Sequence, residues 1–495
     1  MAFQDDKIRL GFLPANRGPF SDELAFQMRN AAVEAMHRAG IDVVVPSPQE
    51  TKVGCVETRR EAETCAELFR RHGVDGIVVG AVNFGEEQCV AHAIRRSGLD
   101  VPVMIFGCQE EEVLRRTTPR RDAFCGLLSI GEVLRQIGVR YSVATRPICF
   151  PSGPSFAADL DWFTRVCRVV NGLRNARYGQ VGVRPDAFWT CRFDEKQLQR
   201  LGATTVVLDL SEAIAGAGAI PDSDPEVAQL LESMRVDADA SLMPAASMVR
   251  SAKLELFLRR WRAENELDAL AIQCWTSIQH NYGVCSCAAM ARLGDDGFPA
   301  ACESDVLGAM SMHACRLASG RPAALADWNN LHNEDEDLVN LWHCGVFPAS
   351  FAAGRARLGI HDIMVACGGA PPERAYGTVQ LEAAPSPLTL CRITQDTEGL
   401  WKAVVAEGAV EKNRAETFGG YAWCRVPHLQ RLYRDVLLNH FPHHVAMTQT
   451  HVGNALWEAL GNYLGMKMFH AIQETPGLYT PQLPFSTKAR PTPTP

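Results

Sequence analysis

The sequence predicts an α/β protein whose last part, from about residue 355, is mainly antiparallel β structure. Before that point, short apolar runs alternate with helical patterns, which indicates parallel sheets with helices on both faces. After it, the apolar runs are short and are separated by Gly and Pro turns. A chain of 495 residues is too long for one ordinary domain, so about three domains are expected.

The first segment is predicted to begin with a buried strand at residues 8–13. Ser21 is a typical helix cap, and apolar residues then recur at four-residue spacing until Gly40 ends the helix. Further strands, separated by helices, are predicted at residues 41–45, 76–82 and 101–107. This alternation is typical of an open α/β sheet.

The second segment starts after a helix that contains Trp162 and Leu173. Its strands are predicted at residues 180–183, 204–210 and 270–273, with a loop at 216–224 and a helix at 254–261. The last of these strands would bring Trp275 to its carboxyl end. Ligand sites of open α/β sheets lie at such ends.

The third segment combines antiparallel strands with two late helices. Strands are predicted at residues 363–366, 378–381, 388–393 and 401–405, and helices at 429–438 and 455–464. The Pro/Thr-rich tail, residues 488–495, is expected to be disordered or draped over the surface.

Composition argues against several classes of protein. The net charge of −8 is unlike that of a nucleic-acid-binding surface, and no apolar run approaches the length of a membrane span. The first residues lack the basic segment and apolar core of a secretory signal. The 17 cysteines are scattered through apolar segments, so we expect reduced, mostly buried thiols in a cytoplasmic protein. The spacing of Cys285 and Cys287, with no matching second pair, is not a zinc signature.

Two carboxylates and several histidines are the candidate functional residues. Glu303 and Asp327 follow apolar runs, His343 lies among apolar residues, and His443 and His444 are adjacent far downstream. Carboxylates and imidazoles held together in a dry pocket suit a hard or borderline divalent cation. A carboxylate that is both ligand and proton shuttle could move a proton between adjacent carbons of a sugar.

Each of these residues also has a purely structural explanation. Glu303 or Asp327 could cap the segment that follows it. His343 could be a satisfied core histidine. Adjacent residues of a strand point to opposite faces, so at most one of His443 and His444 is expected to face the site.

Four short segments and the late histidine pair resemble the L-fucose isomerase/L-arabinose isomerase family. The segments are Gln-Cys-Trp-Thr at 273–276, Pro-Ala-Ala-Cys-Glu-Ser-Asp at 299–305, Ala-Asp-Trp-Asn-Asn at 326–330 and Trp-His-Cys-Gly at 342–345. Leu-Gly-Phe-Leu-Pro at 10–14 and Val-Gly-Val-Arg-Pro at 181–185 also fall in the expected order. The resemblance covers nearly the whole chain.

The resemblance implies two Rossmann-like α/β domains followed by a C-terminal β-barrel-like domain. We place the first domain at residues 1–160, the second, which carries the paired acids, at 161–354, and the C-terminal domain at 355–495. The resemblance also implies a Mn²⁺-dependent aldose–ketose isomerisation through a cis-enediol. It further implies that the protein forms a homo-oligomer, namely a hexamer. Its substrate would be a small sugar, with neither nucleic acid nor membrane as a partner.

The resemblance also implies roles for individual residues. Glu303 and Asp327 match the two metal-binding acids that perform the acid/base work, and His444 matches the late metal histidine. His343 matches the histidine that the arabinose branch uses as a further ligand. Substrate contacts are expected from four other positions, which are Trp275, Gln279, Asn329 and His443.

Departures from the family pattern bear on the substrate. The chain is shorter than typical L-fucose isomerases, Asp327 leans toward the fucose branch, and the segment around His343 is similar to the arabinose branch. A smaller subfamily that resembles sulfoquinovose isomerases is therefore indicated, and a sulfonated hexose joins L-fucose- or L-arabinose-type sugars as a candidate substrate. An anionic substituent would need a cationic partner, for which Arg17, Arg184 and Arg355 are equal candidates.

Two other functions remain open from the sequence. A non-catalytic sugar-binding or regulatory protein would also suit tandem α/β domains, but it has no need of paired acids and a metal. A metal-dependent epimerase or aldolase would pass through the same kind of enediolate. Analysis of the products separates an epimerase or aldolase from an isomerase, and sugar affinity without proton exchange at C2 in D₂O would favour a binding protein.

Overall fold

The computed structural model describes residues 7–110, 114, 116, 119–412 and 417–471. Residues 470 and 471 are described without their side chains. The described residues form two compact units. One comprises residues up to 171 together with 457–465, and the other comprises residues 172–456 together with 466–471. The predicted Pro/Thr-rich tail lies outside the described residues.

The first unit is built on a five-stranded parallel sheet in the order β2-β1-β3-β4-β5, a doubly wound order. Its strands are β1 (Arg9–Ala15), β2 (Asp42–Val44), β3 (Gly76–Ala81), β4 (Val103–Cys108) and β5 (Ser142–Cys149). Its helices are α1 (Asp22–Arg38), α2 (Arg59–His72), α3 (Glu87–Ser97), α4 (Ala123–Gln136) and α5 (Pro154–Arg174).

Local capping residues, of which Ser21 was predicted from the sequence, account for the helix limits in this unit. The Ser21 side chain accepts a hydrogen bond from Leu24 N–H at the start of α1. Thr58 and Glu61 form a reciprocal capping box at the start of α2. That helix ends at Gly73, whose left-handed φ of 58° a residue without Cβ adopts at little cost. The predicted parallel sheet with intervening helices is confirmed.

The second unit contains a four-stranded parallel sheet and a ten-stranded mixed sheet. The parallel sheet has the order β10-β9-β6-β7, with β6 (Arg177–Val181), β7 (Thr204–Leu208), β9 (Ala269–Ile272) and β10 (Ala300–Ala301). Its core is apolar and includes Val181, Leu270 and Ile272, all fully buried.

The mixed sheet has the order β19-β16-β15-β18-β11-β12-β17-β14-β13-β8. Its strands are β8 (Ala238–Asp239), β11 (Ala324–Leu331), β12 (Leu338–His343), β13 (Ala356–Ile360), β14 (Tyr376–Glu382), β15 (Ser386–Gln395), β16 (Trp401–Glu411), β17 (Gly420–Arg425), β18 (His444–Thr448) and β19 (Lys467–Ala471). β16 also pairs with β17, so hydrogen bonding joins the two ends of the run β16-β15-β18-β11-β12-β17.

Helices complete the second unit. They are α6 (Glu195–Leu201), α7 (Leu210–Ala219), α8 (Pro225–Asp237), α9 (Ala245–Asn265), α10 (Ser277–Asn281), α11 (Cys287–Asp295), α12 (Val306–Ser319), α13 (Asp362–Ala366), α14 (Leu429–Leu438) and α15 (Gly453–Trp457). A π-helical turn at Glu458–Tyr463, which belongs to the first unit, directly follows α15 in the chain. Within the described part of the chain, no helix is both long and apolar enough to cross a membrane.

Two local predictions were wrong. The run predicted as a strand at 363–366 is helical, because the His361 side chain accepts from Met364 N–H and caps α13. The loop predicted at 216–224 begins later, since α7 continues to Ala219. Asp327, which follows an apolar run in the sequence, lies within β11, and that strand continues to Leu331.

The cysteines are free thiols. Fifteen of them are buried, and the exceptions are Cys125 and Cys367. Three buried thiols that are far apart in the chain, those of Cys287, Cys302 and Cys344, lie within 4.8 Å of one another in the second unit.

Candidate active site

Glu303 lies in a strained turn between β10 and α12. Both Glu303 and Ser304 have positive φ, at 63° and 53°, a left-handed conformation that costs energy for residues with a Cβ. Ser304 N–H donates to Ile272 O at 3.1 Å, and Asp305 N–H donates to Cys302 O at 3.1 Å. These bonds hold the turn, and the Glu303 carboxylate is 5% exposed. Backbone strain of this kind is characteristic of functional sites.

Asp305, and not Glu303, caps the helix that follows this turn. Its Oδ1 accepts from Gly308 N–H at 2.8 Å, at the start of α12. Arg392 Nη1 donates to Asp305 Oδ2 at 2.5 Å, and Arg392 Nη2 donates to Oδ1 at 3.1 Å. Burial opposes ionisation, but the Arg392 charge and a hydrogen bond from His444 outweigh it and lower the pKa of Asp305. The role of helix cap that was considered for Glu303 therefore belongs to Asp305, two residues later.

His444 connects the two candidate acids. It begins β18, in register with Asp327 on the neighbouring strand β11, so the two side chains share one face of the sheet. His444 Nδ1 lies 2.8 Å from Asp305 Oδ2. Its Nε2 lies 2.9 Å from Glu303 Oε2 and 3.6 Å from Asp327 Oδ1. Both candidate carboxylates therefore reach the same imidazole nitrogen.

Electrostatics at this group are dominated by burial and by opposite charges. Burial lowers the pKa of His444, but the contacts with Asp305, Cys191 and Glu303 raise it well above its ordinary value. Burial raises the pKa of Asp327, while the neighbouring histidines oppose that shift. A group of anionic oxygens this deep in the protein requires a positive charge, which either protons or a cation can provide.

His343 ends β12 and is buried beside the same group. One donor atom each from Glu303, His343 and His444 lie within 4.8 Å of one another. The rings of His343 and His444 are 5.7 Å apart between centroids. Burial lowers the pKa of His343, but the charges of Cys344 and Asp327 outweigh it and raise that pKa to about 9.

Four buried polar atoms in this group make no hydrogen bond to any residue that the structure describes. They are Glu303 Oε2, Asp327 Oδ1, His343 Nε2 and His444 Nε2. Glu303 Oε2 and His444 Nε2 approach to 2.9 Å, but without the alignment of a hydrogen bond. Neighbouring ligands of an octahedral cation with bonds of about 2.1 Å lie about 3 Å apart, so carboxylate and imidazole atoms at this spacing fit a divalent cation.

His443 differs from its expected orientation. It precedes the first residue of β18, so strand alternation does not apply to it, and its ring is 4.2 Å from that of His444 between centroids. Its Nε2 lies 3.7 Å from Asp327 Oδ1, almost as close as that of His444. Burial, with a smaller contribution from the charge of His444, lowers the pKa of His443 to about 4. Both histidines therefore lie beside Asp327.

The predicted substrate-contact residues are placed differently. Trp275 lines a cavity next to the acids and packs edge-on against His361 at 5.8 Å between ring centroids. Gln279 is buried, and its Nε2 donates to Cys274 O at 2.7 Å. Asn329 is exposed, and its side-chain oxygen accepts from Asn330. The structure thus places Trp275 next to the group but turns Asn329 toward solvent.

The cavity has a volume of about 1020 Å³ and is lined mainly by the loop of residues 183–193 with Trp275 and Ser304. Phe188 of this loop packs against Trp275 and His443, at 6.2 Å and 6.0 Å between ring centroids. One donor atom each from Cys191, Asp305 and His444 lie within 4.8 Å of one another. The loop therefore connects the cavity to the acids and histidines.

Sequence reasoning missed three residues of this site, namely Asp305, Arg392 and Cys191. Asp305 lies only two residues after Glu303, in the typical position of a helix cap, and this was a usable signal. Arg392 and Cys191 join the site only through tertiary structure, because 87 and 114 residues separate them from Asp305 in the chain.

Comparison with known proteins decides the family. Residues 11–174 match the N-terminal domain of fucose/sulfoquinovose isomerase, and residues 341–470 match the C-terminal domain of L-fucose isomerase. These two ranges cover more than half of the chain.

The chain belongs to the fucose/sulfoquinovose isomerase family.

The family resemblance expected from the motifs is confirmed, and the protein is an aldose–ketose isomerase. A curated relative from Alkalicoccus urumqiensis, named sulfoquinovose isomerase, is 29% identical over 345 residues, which cover 68% of this isomerase and 72% of the relative. One of the same name from Priestia aryabhattai is 24% identical over 408 residues, covering 80% and 84%. A third, from Clostridium sp. (strain MSTE9), is 26% identical over 257 residues, covering 50% and 54%.

Proposed function

We propose that this isomerase interconverts the aldose and ketose forms of a sulfonated hexose through a cis-enediol, with a divalent cation held by Glu303, Asp327 and His444. The observation that carries the proposal is the convergence of orphaned, buried carboxylate and imidazole atoms from three distant parts of the chain. Unpartnered polar atoms are costly to bury, so a protein that gathers them at one point gains from a bound cation.

The donor set supports Mn²⁺ as the cation. Carboxylate oxygens suit Mg²⁺, Ca²⁺ and Mn²⁺, whereas an imidazole nitrogen favours the more borderline of these ions. His444 resembles a typical metal ligand, because its second nitrogen contacts a carboxylate that fixes the ring. When bound, the cation would polarise the sugar carbonyl and stabilise the negative charge of the enediolate. The family resemblance implied His343 as a fourth ligand.

Glu303 and Asp327 would carry the proton. Both carboxylates lie at His444 Nε2. A sugar whose C1 and C2 sit between them can lose the C2 proton to one acid and gain a proton at C1 from the other, while the hydroxyl proton of O2 passes to O1 and leaves the ketose carbonyl at C2. Burial of Glu303 excludes water, which limits loss of the transferred proton to solvent. The side chain of Asp327 is 20% exposed.

The cavity beside the acids supports an anionic substrate. Arg184 and Arg192 both line it, and the only carboxylate among the lining residues that the structure describes is Asp186. Arg184 Nη1 donates to the carbonyl oxygens of Pro185 and Asp186 at 3.0 Å and 3.1 Å, which restrains the guanidinium. A planar guanidinium provides parallel donors for the oxygens of a sulfonate.

The structure distinguishes the three arginines that were equal candidates. Arg17 pairs with Glu86 and Glu87, and its charge is therefore already balanced. Arg355 donates to the carbonyl of Arg235 at 2.7 Å and does not line this cavity. Arg184 is the candidate that remains. The curated relatives named sulfoquinovose isomerase support the same class of substrate.

Several family expectations are kept as proposals. They are the hexamer, the cytoplasmic location, the boundaries at residues 160 and 354, and the barrel-like character of the C-terminal part. The pairing of β16 with β17 supports the last of these. His443 and Trp275 remain proposed substrate contacts, and their positions beside Asp327 and the cavity support this. Gln279 and Asn329 are retained from the family pattern alone.

The proposal is tested by ¹H and ¹³C NMR of sulfoquinovose incubated with the Mn²⁺-loaded protein in D₂O. We expect a ketose product and incorporation of solvent deuterium at C1 or C2. Glu303→Gln serves as the inactive control, and glucose and L-fucose are run in parallel. Cleavage or inversion without ketose formation would establish an aldolase or epimerase instead. Binding of the sugar with no exchange at C2 would establish a binding protein.

A further inference from the structure

His343 and His444 lie beside the same acids, but the Nδ1 atoms of their rings have different hydrogen-bond partners. We propose that His343 acts as a hydrogen-bond donor from Nε2–H to a substrate oxygen and is not a cation ligand, whereas His444 coordinates through Nε2. This inference rests on the proposed function for its ligand, the sugar, but the assignment of the protons rests on hydrogen bonds within the chain.

The backbone decides which nitrogen of His343 carries a proton. Cys344 N–H donates to His343 Nδ1 at 2.9 Å, inside the protein. A backbone N–H can only donate, so Nδ1 must offer its lone pair. The neutral imidazole has one proton, and that proton is therefore on Nε2.

A second contact at the same nitrogen leads to the same result. Cys344 Sγ lies 3.2 Å from His343 Nδ1. A thiol there donates to Nδ1, which again leaves the proton on Nε2. A thiolate there would favour the imidazolium, in which both nitrogens carry protons. Nε2 is protonated in either case.

Rotation of the ring does not offer an alternative. A half-turn about the Cβ–Cγ bond would exchange Nδ1 for a carbon, and Cys344 N–H would lose its acceptor while remaining buried. A buried backbone donor without a partner is rare in folded proteins. The observed orientation is therefore the favoured one.

The protonated Nε2 needs an acceptor. It is buried and makes no hydrogen bond to any residue that the structure describes. One ring nitrogen of His343 lies within 4.8 Å of donor atoms of Glu303 and His444. A nitrogen that carries a proton has no free lone pair for a cation. A sugar oxygen between the acids would accept from it, and the bond would strengthen as that oxygen becomes an enediolate.

His444 has the opposite arrangement. Its Nδ1 contacts Asp305 Oδ2 at 2.8 Å, and Arg392 keeps that carboxylate ionised, so Nδ1 must donate. The Nε2 lone pair is then free for a cation once the ring is neutral. The two imidazoles are thus divided by their partners, a backbone N–H for His343 and a carboxylate for His444.

The first experiment measures Mn²⁺ affinity, from the electron paramagnetic resonance signal of free Mn²⁺, together with kcat. We expect His343→Leu to keep the Mn²⁺ affinity within about twofold and to lower kcat by about 10²–10³, the usual loss for an oxyanion donor. His343→Gln, whose amide can donate from a similar position, should recover part of kcat. His444→Gln should lose at least about tenfold in Mn²⁺ affinity. Equal losses of Mn²⁺ affinity in the His343 and His444 variants would overturn the proposal.

The second experiment needs neither sugar nor metal. ¹⁵N NMR of histidine-labelled full-length protein, assigned with His343→Gln, reads the protonation of each ring nitrogen. We expect a protonated Nε2 in His343. An unprotonated Nε2 with a protonated Nδ1 would refute the inference even if the isomerase activity is established. Failure of the protein to isomerise sulfoquinovose, with the expected ¹⁵N result, would instead count against the proposed function alone.

Discussion

Arg392 donates from two nitrogens to the two oxygens of Asp305, and both side chains are 1% exposed. This pair lies behind His444, on the side away from the orphaned atoms of Glu303 and Asp327. A buried ion pair contributes little net stability, but loss of one partner leaves an uncompensated charge in the interior. The pair therefore fixes the orientation and tautomer of a candidate metal ligand rather than simply strengthening the fold.

We expect Arg392→Met to lower the free energy of unfolding by about 3–5 kcal/mol, because it leaves Asp305 buried and unpaired. The double variant Arg392→Met/Asp305→Leu should lose less than the single variant. Urea denaturation measures both. Arg38→Gln, which breaks an exposed pair with Glu34, is the control and should change the free energy by at most about 0.5 kcal/mol. A larger loss in the double variant would show that the pair stabilises the fold on balance.

We expect Glu303→Gln to lower kcat by about 10²–10⁴ or more, since it removes the proposed proton-transfer group and cation ligand while keeping the size of the side chain. Circular dichroism should remain that of the parent protein. Glu334→Gln, at an exposed residue of the acidic run, is the matched control and should leave kcat unchanged. A near-normal rate in Glu303→Gln would exclude it from the chemistry.

We expect chelation to abolish the activity and Mn²⁺ to restore it. Because a ligand that binds only the folded state stabilises it, Mn²⁺ at 100 times its Kd should add about 2.7 kcal/mol to the stability and raise Tm. Thermal melting of the chelated protein with and without Mn²⁺ measures this effect. The Tm shift should be much smaller in His444→Gln. Full activity of a protein shown by elemental analysis to be free of metal would contradict the proposed cation site.

We expect Arg184→Leu to lower kcat/KM for sulfoquinovose by about 10- to 100-fold, since a hydrogen bond to a charged group contributes about 1.5–3 kcal/mol. Any activity on glucose, which has no anionic substituent, should not fall. Arg355→Leu removes an arginine that does not line the cavity and should leave both substrates unaffected. An equal loss on both sugars would mean that Arg184 supports the loop rather than the sulfonate.

Glu458 gives a prediction on pH. It is buried in the π-helical turn, and burial raises its pKa to about 7, although hydrogen bonds from Ser142 at 2.6 Å and Asn462 at 2.8 Å oppose this. The pKa is higher in the folded than in the unfolded state. The folded state therefore binds more protons between about pH 4.5 and 7, and stability falls as pH rises through that range.

We expect the protonated Glu458 carboxyl to add on the order of 3 kcal/mol to the free energy of unfolding at low pH, and we expect this stabilisation to be lost as the pH rises to about 7. The pH-dependent change should be absent in Glu458→Gln. Urea denaturation at pH 5, 6, 7 and 8 measures it as the difference between the two proteins. Stability of the parent that rises relative to Glu458→Gln over this range would show that the carboxylate is stabilised in its charged form.

Much of the secondary structure could be predicted because its signals are local. Ser21, Gly73 and the apolar periodicity of the N-terminal helices are readable within a few residues of the chain. The error at 363–366 arose because a histidine cap is uncommon, and four apolar or β-branched residues favour a strand by composition alone.

The candidate site was only partly predictable for a different reason. Glu303, Asp327, His343 and the histidine pair were proposed from residue type and family resemblance, and the structure brings them together. Arg392 could not be found, because its role depends on a contact across 87 residues. The different proton positions proposed for His343 and His444 could not be predicted either, because they follow from a backbone N–H beside one ring and a carboxylate beside the other.

The left-handed turn at Glu303 and Ser304 has a consequence for the evolution of this protein. Glycine would occupy position 303 with less conformational penalty, so a Glu303→Gly variant can gain folding stability while it loses its chemistry. Selection for robustness alone would then remove the acid. The chain thus carries a carboxylate at a position where the backbone conformation alone would favour glycine.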